Sequence, residues 1–228
     1  MQKGEKMSVL TYKEQFIKFM ADCGVLTFGD FTLKSGRKSP YFLNAGNYNT
    51  GAALAKLGEF YAECFMDNKV EAETLFGPAY KGIPLATATA VALNNKFGVD
   101  INYCFDRKEA KTHGEGGWFV GKQPEDGEKI AIIDDVSTSG KAIREVLPKL
   151  KKAADVNVTS FLITADRMEK TLNGTNSAVQ EIEKEFGIKV YSIININDIV
   201  SALENDIIPG KDFLPAMKGY IAEYGAKY

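Results

Sequence analysis

The chain has 228 residues, 45% hydrophobic and 25% charged, which is enough for one well-filled core and excludes a disordered or fibrous protein. A formal charge of -2 removes any global attraction to nucleic acid or an anionic membrane, so positive charge for an anionic ligand has to be concentrated locally. Three widely spaced cysteines, one histidine and no CxxC pair argue against a disulfide framework or a structural zinc site, no apolar run approaches membrane-spanning length, and a cytoplasmic setting is expected.

In chain order, Phe16, Phe19, Met20 and Cys23 recur at helical spacing and predict an amphipathic helix over Thr11 to Cys23, stopped by Gly24. After a glycine- and lysine-bearing stretch from Gly29 to Gly46, Thr50 is placed to cap a second helix carrying Leu54, Leu57, Tyr61 and Phe65 on one side. Strands then alternate with helices. The pattern predicts a strand near Thr74 to Phe76, a helix over Ile83 to Lys96, and strands at Ile101 to Phe105 and Lys129 to Ile133. A helix over Ala142 to Ala153, a strand at Val156 to Ala165, a helix over Ser177 to Phe186 and a strand at Lys189 to Ile194 follow. The remainder, Asp198 to Tyr228, reads as two helical segments broken around Pro209 and Gly210. This alternation predicts an α/β fold with a mainly parallel central sheet flanked by helices. No repeat or linker divides the chain, so residues 1–228 are expected to form one domain, with hood elements at about residues 1–46 plus the C-terminal helices.

The most informative stretch is Ile130 to Ala142, IAIIDDVSTSGKA, where a short apolar strand ends in two acids and a hydroxyl-and-glycine loop leads into a helical pattern. Loops at the carboxyl edge of an open α/β sheet lead into helix N-termini, whose free N–H groups and dipoles suit phosphate. Ser137, Thr138, Ser139, Gly140 and Lys141 are therefore candidate phosphate ligands, and Asp134 and Asp135 can grip sugar hydroxyls. A P-loop is excluded because Asp135 stands where the upstream glycine is needed and Ala142 where the hydroxyl is needed, and no GxGxxG follows the strand. What remains is a sugar-phosphate cradle.

Four further clusters share the chain with it. Asp106 to Gly117, DRKEAKTHGEGG, gathers Arg107, Lys108, Lys111 and His113 among glycines that disfavour helix and strand, and it is expected to be a mobile basic loop. Phe28 to Gly46, FGDFTLKSGRKSPYFLNAG, mixes Lys34, Arg37 and Lys38 with aromatic rings, a combination that can pair with a carboxylate and stack on a flat heterocycle. Gly77 to Gly82, GPAYKG, joins a strand to a helix and offers N–H groups and Lys81 to an anion. Asp166-Arg167 closes a predicted strand on the same sheet edge. Alone, these read as a solvated charged loop, a surface hairpin, an exposed turn and a surface salt bridge.

IIDDVSTSG closely resembles the 5-phosphoribosyl 1-diphosphate (PRPP) signature of the type I phosphoribosyltransferases, with Ser137 in place of the usual aliphatic residue, a change expected to alter loop packing. RKEAKTHGEGG is similar to the catalytic loop of the orotate phosphoribosyltransferases, and the Phe28 to Gly46 stretch looks like their orotate-binding hood. The resemblance spans Phe28 to Arg167 in order and implies transfer of a 5-phosphoribosyl group from PRPP to N1 of orotate in pyrimidine biosynthesis. It implies catalytic roles for Arg107, Lys111, His113, Asp134 and Asp135. PRPP would also meet Lys34, Tyr80, Lys81, Lys108 and the loop Val136 to Ala142, while Phe42, Leu43, Thr138 and Arg167 would hold orotate. Magnesium would arrive on PRPP with no direct protein ligand. A homodimer is implied, with Lys108 serving the neighbouring subunit, and no nucleic-acid or membrane partner. Another nucleobase phosphoribosyltransferase and a non-catalytic PRPP-binding regulator are the alternatives; the intact basic run and net negative charge disfavour the regulator.

Overall fold

The computed structural model describes residues 9–111, 117–135 and 140–228, with the backbone alone for Ala110 and Lys111. His113, Val136, Ser137, Thr138, Ser139 and the Lys111 side chain therefore lie outside the described residues. Helix α1 (Tyr12–Asp22) opens with a capping box in which Thr11 and Glu14 satisfy each other's backbone N–H groups. Strands β1 (Leu26–Thr32) and β2 (Lys38–Leu43) then form an antiparallel hairpin. This is the expected hood.

Helix α2 (Gly51–Asp67), capped by Thr50, leads into β3 (Thr74–Gly77) and α3 (Gly82–Phe97). Then come β4 (Asn102–Lys111), β5 (Gly117–Gly121), β6 (Lys129–Asp134), α4 (Lys141–Ala153), β7 (Asn157–Asp166), α5 (Ala178–Phe186) and β8 (Lys189–Asn195). Helices α6 (Ile196–Glu204) and α7 (Leu214–Tyr224) complete the order, with the predicted break between them. The six-stranded sheet runs β5-β4-β3-β6-β7-β8, parallel except for the β4–β5 pair.

Period-two alternation divides the apolar side chains between two cores. Leu75, Ala131, Ile133 and Leu162 pack on the face covered by α1, α2, α3, α6 and α7. Phe76, Ile130, Ile132, Phe161 and Ile163 pack against α4 and α5 on the other. At the centre, β3 and β6 are neighbours, and the chain leaves them toward opposite edges of the sheet. Their carboxyl ends thus flank the crevice where open α/β sheets bind ligands.

One expectation is corrected here. The basic stretch does not begin as a loop: β4 runs on through Arg107 and Lys108 to Lys111, six residues beyond the predicted strand end, and pairs antiparallel with β5. The pairing of Asp106 with Phe119 and of Lys111 with Gly117 supplies ladder hydrogen bonds that outweigh the weak local β preference of a charged run.

Candidate active site

Asp134 is the last residue of β6, and its Oδ1 accepts the backbone N–H of Asp135 at 2.9 Å. From beneath, the Tyr61 hydroxyl of α2 donates to the Asp134 carbonyl at 2.8 Å and lies 2.6 Å from Thr164 Oγ1 on β7. Burial, reinforced by the neighbouring Asp135 charge, pushes the Asp134 carboxyl from the ordinary 3.8 up to about 6. Asp135 is tied across the crevice, because Lys81 donates to its Oδ2 at 2.5 Å. Gly140, at φ +65°, takes the left-handed conformation that glycine adopts without strain and starts α4, so Lys141 and Ala142 form its first turn.

The loop from Gly77 to Gly82 faces this pair from the end of β3. A Cβ at Gly77 would lie 2.1 Å from the Gly82 carbonyl oxygen and one at Gly82 would lie 2.6 Å from Pro78 Cδ, so two glycines are needed for the chain to turn this tightly. The Ala79–Tyr80 peptide is cis. The buried Asp106 of β4, 3% exposed, accepts the Ala79 N–H at 2.8 Å and the Lys149 ammonium at 2.5 Å, so one carboxylate joins the loop, β4 and α4.

A cleft of about 230 Å³ results, lined among others by Tyr80, Lys81, Lys108, Asp134, Asp135 and Ala142 of the predicted residues. Lys108 sits with its ammonium 5.3 Å from the Tyr80 ring centroid. Arg107 is half-buried, and its Nη1 is buried with no hydrogen-bond partner among the described residues. Asp106, Glu145 and Lys149 also line the cleft and were missed by sequence reasoning. The only local signal for Asp106 was an acid at the head of a basic run.

Lys34, Phe42, Leu43 and Arg167 do not line that cleft. Lys34 is exposed in the hairpin turn, Phe42 stacks on Phe31 at 5.5 Å, and Leu43 packs on the core. Arg167, beyond the end of β7, is not a surface salt bridge: it and Glu169 are each 14% exposed, with Nε donating to Glu169 Oε1 at 2.7 Å. The same Glu169 accepts from Tyr41 at 3.3 Å and from Arg37 at 3.5 Å, which fastens the hood to the sheet edge. The Arg167 guanidinium lies 4.6 Å from the Tyr41 ring centroid. Burial works against its charge, but Tyr41 and Glu169 more than offset it and raise its pKa. Two guanidinium groups around one carboxylate leave a positive excess beside the aromatic hood, which suits a flat anion.

The arrangement can hold a phosphorylated sugar between two acids, place ammonium groups on a departing anion, and receive a planar anion nearby. Comparison with known proteins agrees with that chemistry. A phosphoribosyl transferase domain matches residues 45–192. The orotate phosphoribosyltransferase of Clostridium beijerinckii is 48% identical over 219 residues, covering 95% of this chain and 97% of its own. That of Photobacterium profundum is 52% identical over 215 residues, covering 94% and 98%. A crystal structure of the Francisella tularensis orotate phosphoribosyltransferase superposes with a TM-score of 0.84 at 40% identity, covering 93% of this chain and 100% of its own. No helix among the described residues is long and apolar enough to cross a membrane.

Proposed function

The chain belongs to the orotate phosphoribosyltransferase family, and on that footing we propose how its residues divide the work of moving a 5-phosphoribosyl group from PRPP to N1 of orotate, giving orotidine 5'-monophosphate and diphosphate. Breaking the bond between C1 and the diphosphate oxygen builds oxocarbenium character on the ribose, and the bonding electrons leave with the diphosphate. Orotate N1 then bonds to an already electron-poor carbon, so the protein has to supply position and charge more than a strong base.

In this proposal Asp134 and Asp135 hold the ribose hydroxyls and the loop from Val136 to Ala142 holds the 5'-phosphate. Lys81, Arg107, Lys108, Lys111 and His113 meet the diphosphate, whose charge grows in the transition state. Phe42, Leu43, Thr138 and Arg167 receive orotate, and Lys34 contacts both substrates. The observation that carries the reading is the meeting of Lys81 with Asp134 and Asp135 in one cleft at the carboxyl edge of β3 and β6. The acids that face the cleft from β6, Asp134 and Asp135, are assigned here to the ribose hydroxyls, which leaves magnesium to phosphate oxygens and water. Bound in that way, magnesium would neutralise part of the diphosphate charge.

We place the protein in the cytoplasm, a reading supported by three free thiols at Cys23, Cys64 and Cys104. Its assembly is proposed to be a homodimer in which Lys108 serves the neighbouring site. The resemblance of the basic run supports this, and the exposed Tyr80 and Trp118 mark the surface around the cleft mouth and β5 as available to a second copy. The test is direct: mixed with PRPP, magnesium and orotate, the protein should consume orotate, followed by its absorbance. No consumption of orotate alongside brisk turnover of uracil or a purine would move the reading to another nucleobase transferase.

A further inference from the structure

The geometry points to Tyr228 as a positioning residue for Arg167: with Gly225 to Lys227 it forms a strap across the turn that carries this arginine, and so it tunes recognition of the pyrimidine. The inference rests on the proposed role of Arg167 in holding orotate.

Three sets of contacts build the strap. Ala226 N–H donates to the Met168 carbonyl at 2.7 Å, Lys170 N–H to the Tyr224 carbonyl at 2.9 Å, and Glu169 is bridged to Gly225, so the backbone of the turn is clasped on both sides of Glu169. Gln180 of α5 then donates to the Lys227 carbonyl at 2.7 Å, which pins the strap to that helix. Finally, the Tyr228 hydroxyl donates to Asp166 Oδ2 at 2.6 Å and stands 2.6 Å from Oγ of Ser177, the residue that caps α5. A single proton order satisfies both oxygens: Ser177 donates to Tyr228 and Tyr228 donates to Asp166.

The turn needs outside support. Met168 has φ +51°, a left-handed conformation that a residue with a side chain adopts at a cost, and Asp166 Oδ1 holds it by accepting the Met168 N–H at 2.8 Å. Arg167 is thereby framed by Asp166 on one side and by Met168 and Glu169 on the other, and the strap touches all three framing residues. Among the described residues, the hydrogen bonds of residues 225–228 go to the Arg167 turn, to α5 and within the C-terminal segment, and none goes to the Gly77 to Gly82 loop or the β6 acids. A strap that acts through Arg167 should therefore affect orotate and leave PRPP alone.

The experiment is steady-state kinetics of the full chain carrying Tyr228→Phe, which keeps the ring and removes the hydroxyl. The Michaelis constant for orotate is expected to rise roughly fivefold, the equivalent of losing one ordinary hydrogen bond, with that for PRPP unchanged. Asp166→Asn keeps an acceptor for Met168 and a partner for the Tyr228 oxygen and should stay near native, whereas Asp166→Ala, which also removes the acceptor for Met168, should raise the orotate constant at least as much as Tyr228→Phe. Equal losses toward both substrates, or no change toward either, would overturn the inference. Arg167→Gln assayed alongside separates the two claims. A loss of orotate affinity there with Tyr228→Phe unaffected removes the strap and keeps the site; an unaffected Arg167→Gln removes both.

Discussion

The surroundings of Asp134 work against the role proposed for it. A carboxyl grips a ribose hydroxyl most strongly when ionised, yet burial and the Asp135 charge raise that of Asp134 from 3.8 to about 6. In that window the folded protein retains a proton that the unfolded chain has released, so ionising Asp134 costs stability as pH rises from about 4 to about 6. Function has the opposite slope: kcat/KM for PRPP is expected to climb as pH rises through about 6. The substrate's own phosphate titrates in the same range, so Asp134→Asn is the comparison that decides it. Its profile should lose one ionisation from the acid limb, and an unchanged profile shape would detach Asp134 from the effect.

The Gly77 to Gly82 loop shows how an element, rather than one side chain, builds the anion site. Gly77→Ala would force a Cβ against a carbonyl oxygen 2.1 Å away, and shifting backbone instead of a flexible side chain should cost about 1–3 kcal/mol. Urea unfolding would measure that loss, and kinetics should show a raised KM for PRPP because the Ala79 and Lys81 groups move with the loop. Most elements were legible from local pattern: α1 from its 3.6-residue spacing and the Gly24 stop, α2 from its Thr50 cap, β6 from its apolar run. The end of β4 and all of β5 were not, because the charged segment becomes strand only through pairing with a partner that glycines bound at either end. In the site, the loops and acids could be read, while their supports could not. Tyr61 reaches Asp134 across 73 residues and Lys149 reaches Asp106 across 43, separations that leave no periodic trace in the chain. Glu169 stood two residues from Arg167, but nothing local indicated that it would gather Arg37 and Tyr41 as well.

At the scale of the molecule, the proposed shared site makes a prediction about mixtures. If Lys108 serves its neighbour, Lys108→Ala and Asp134→Asn proteins, each nearly inactive, should regain about a quarter of native activity after dissociation and re-pairing. Half of the random dimers would then be mixed, each with one complete site. No recovery would return Lys108 to its own cleft, where it lies over Tyr80 in the single chain. The ion pair between Lys81 and Asp135 adds a consequence for turnover. Because each satisfies the other across the crevice, occupation of the proposed site is an exchange, in which ribose hydroxyls replace the ammonium and diphosphate replaces the carboxylate. Departure of diphosphate runs the swap backwards, and the returning contact compensates the lysine for the anion it gives up. On the proposed roles, the protein thereby lowers its own hold on a highly charged product, and the crevice clears for the next round.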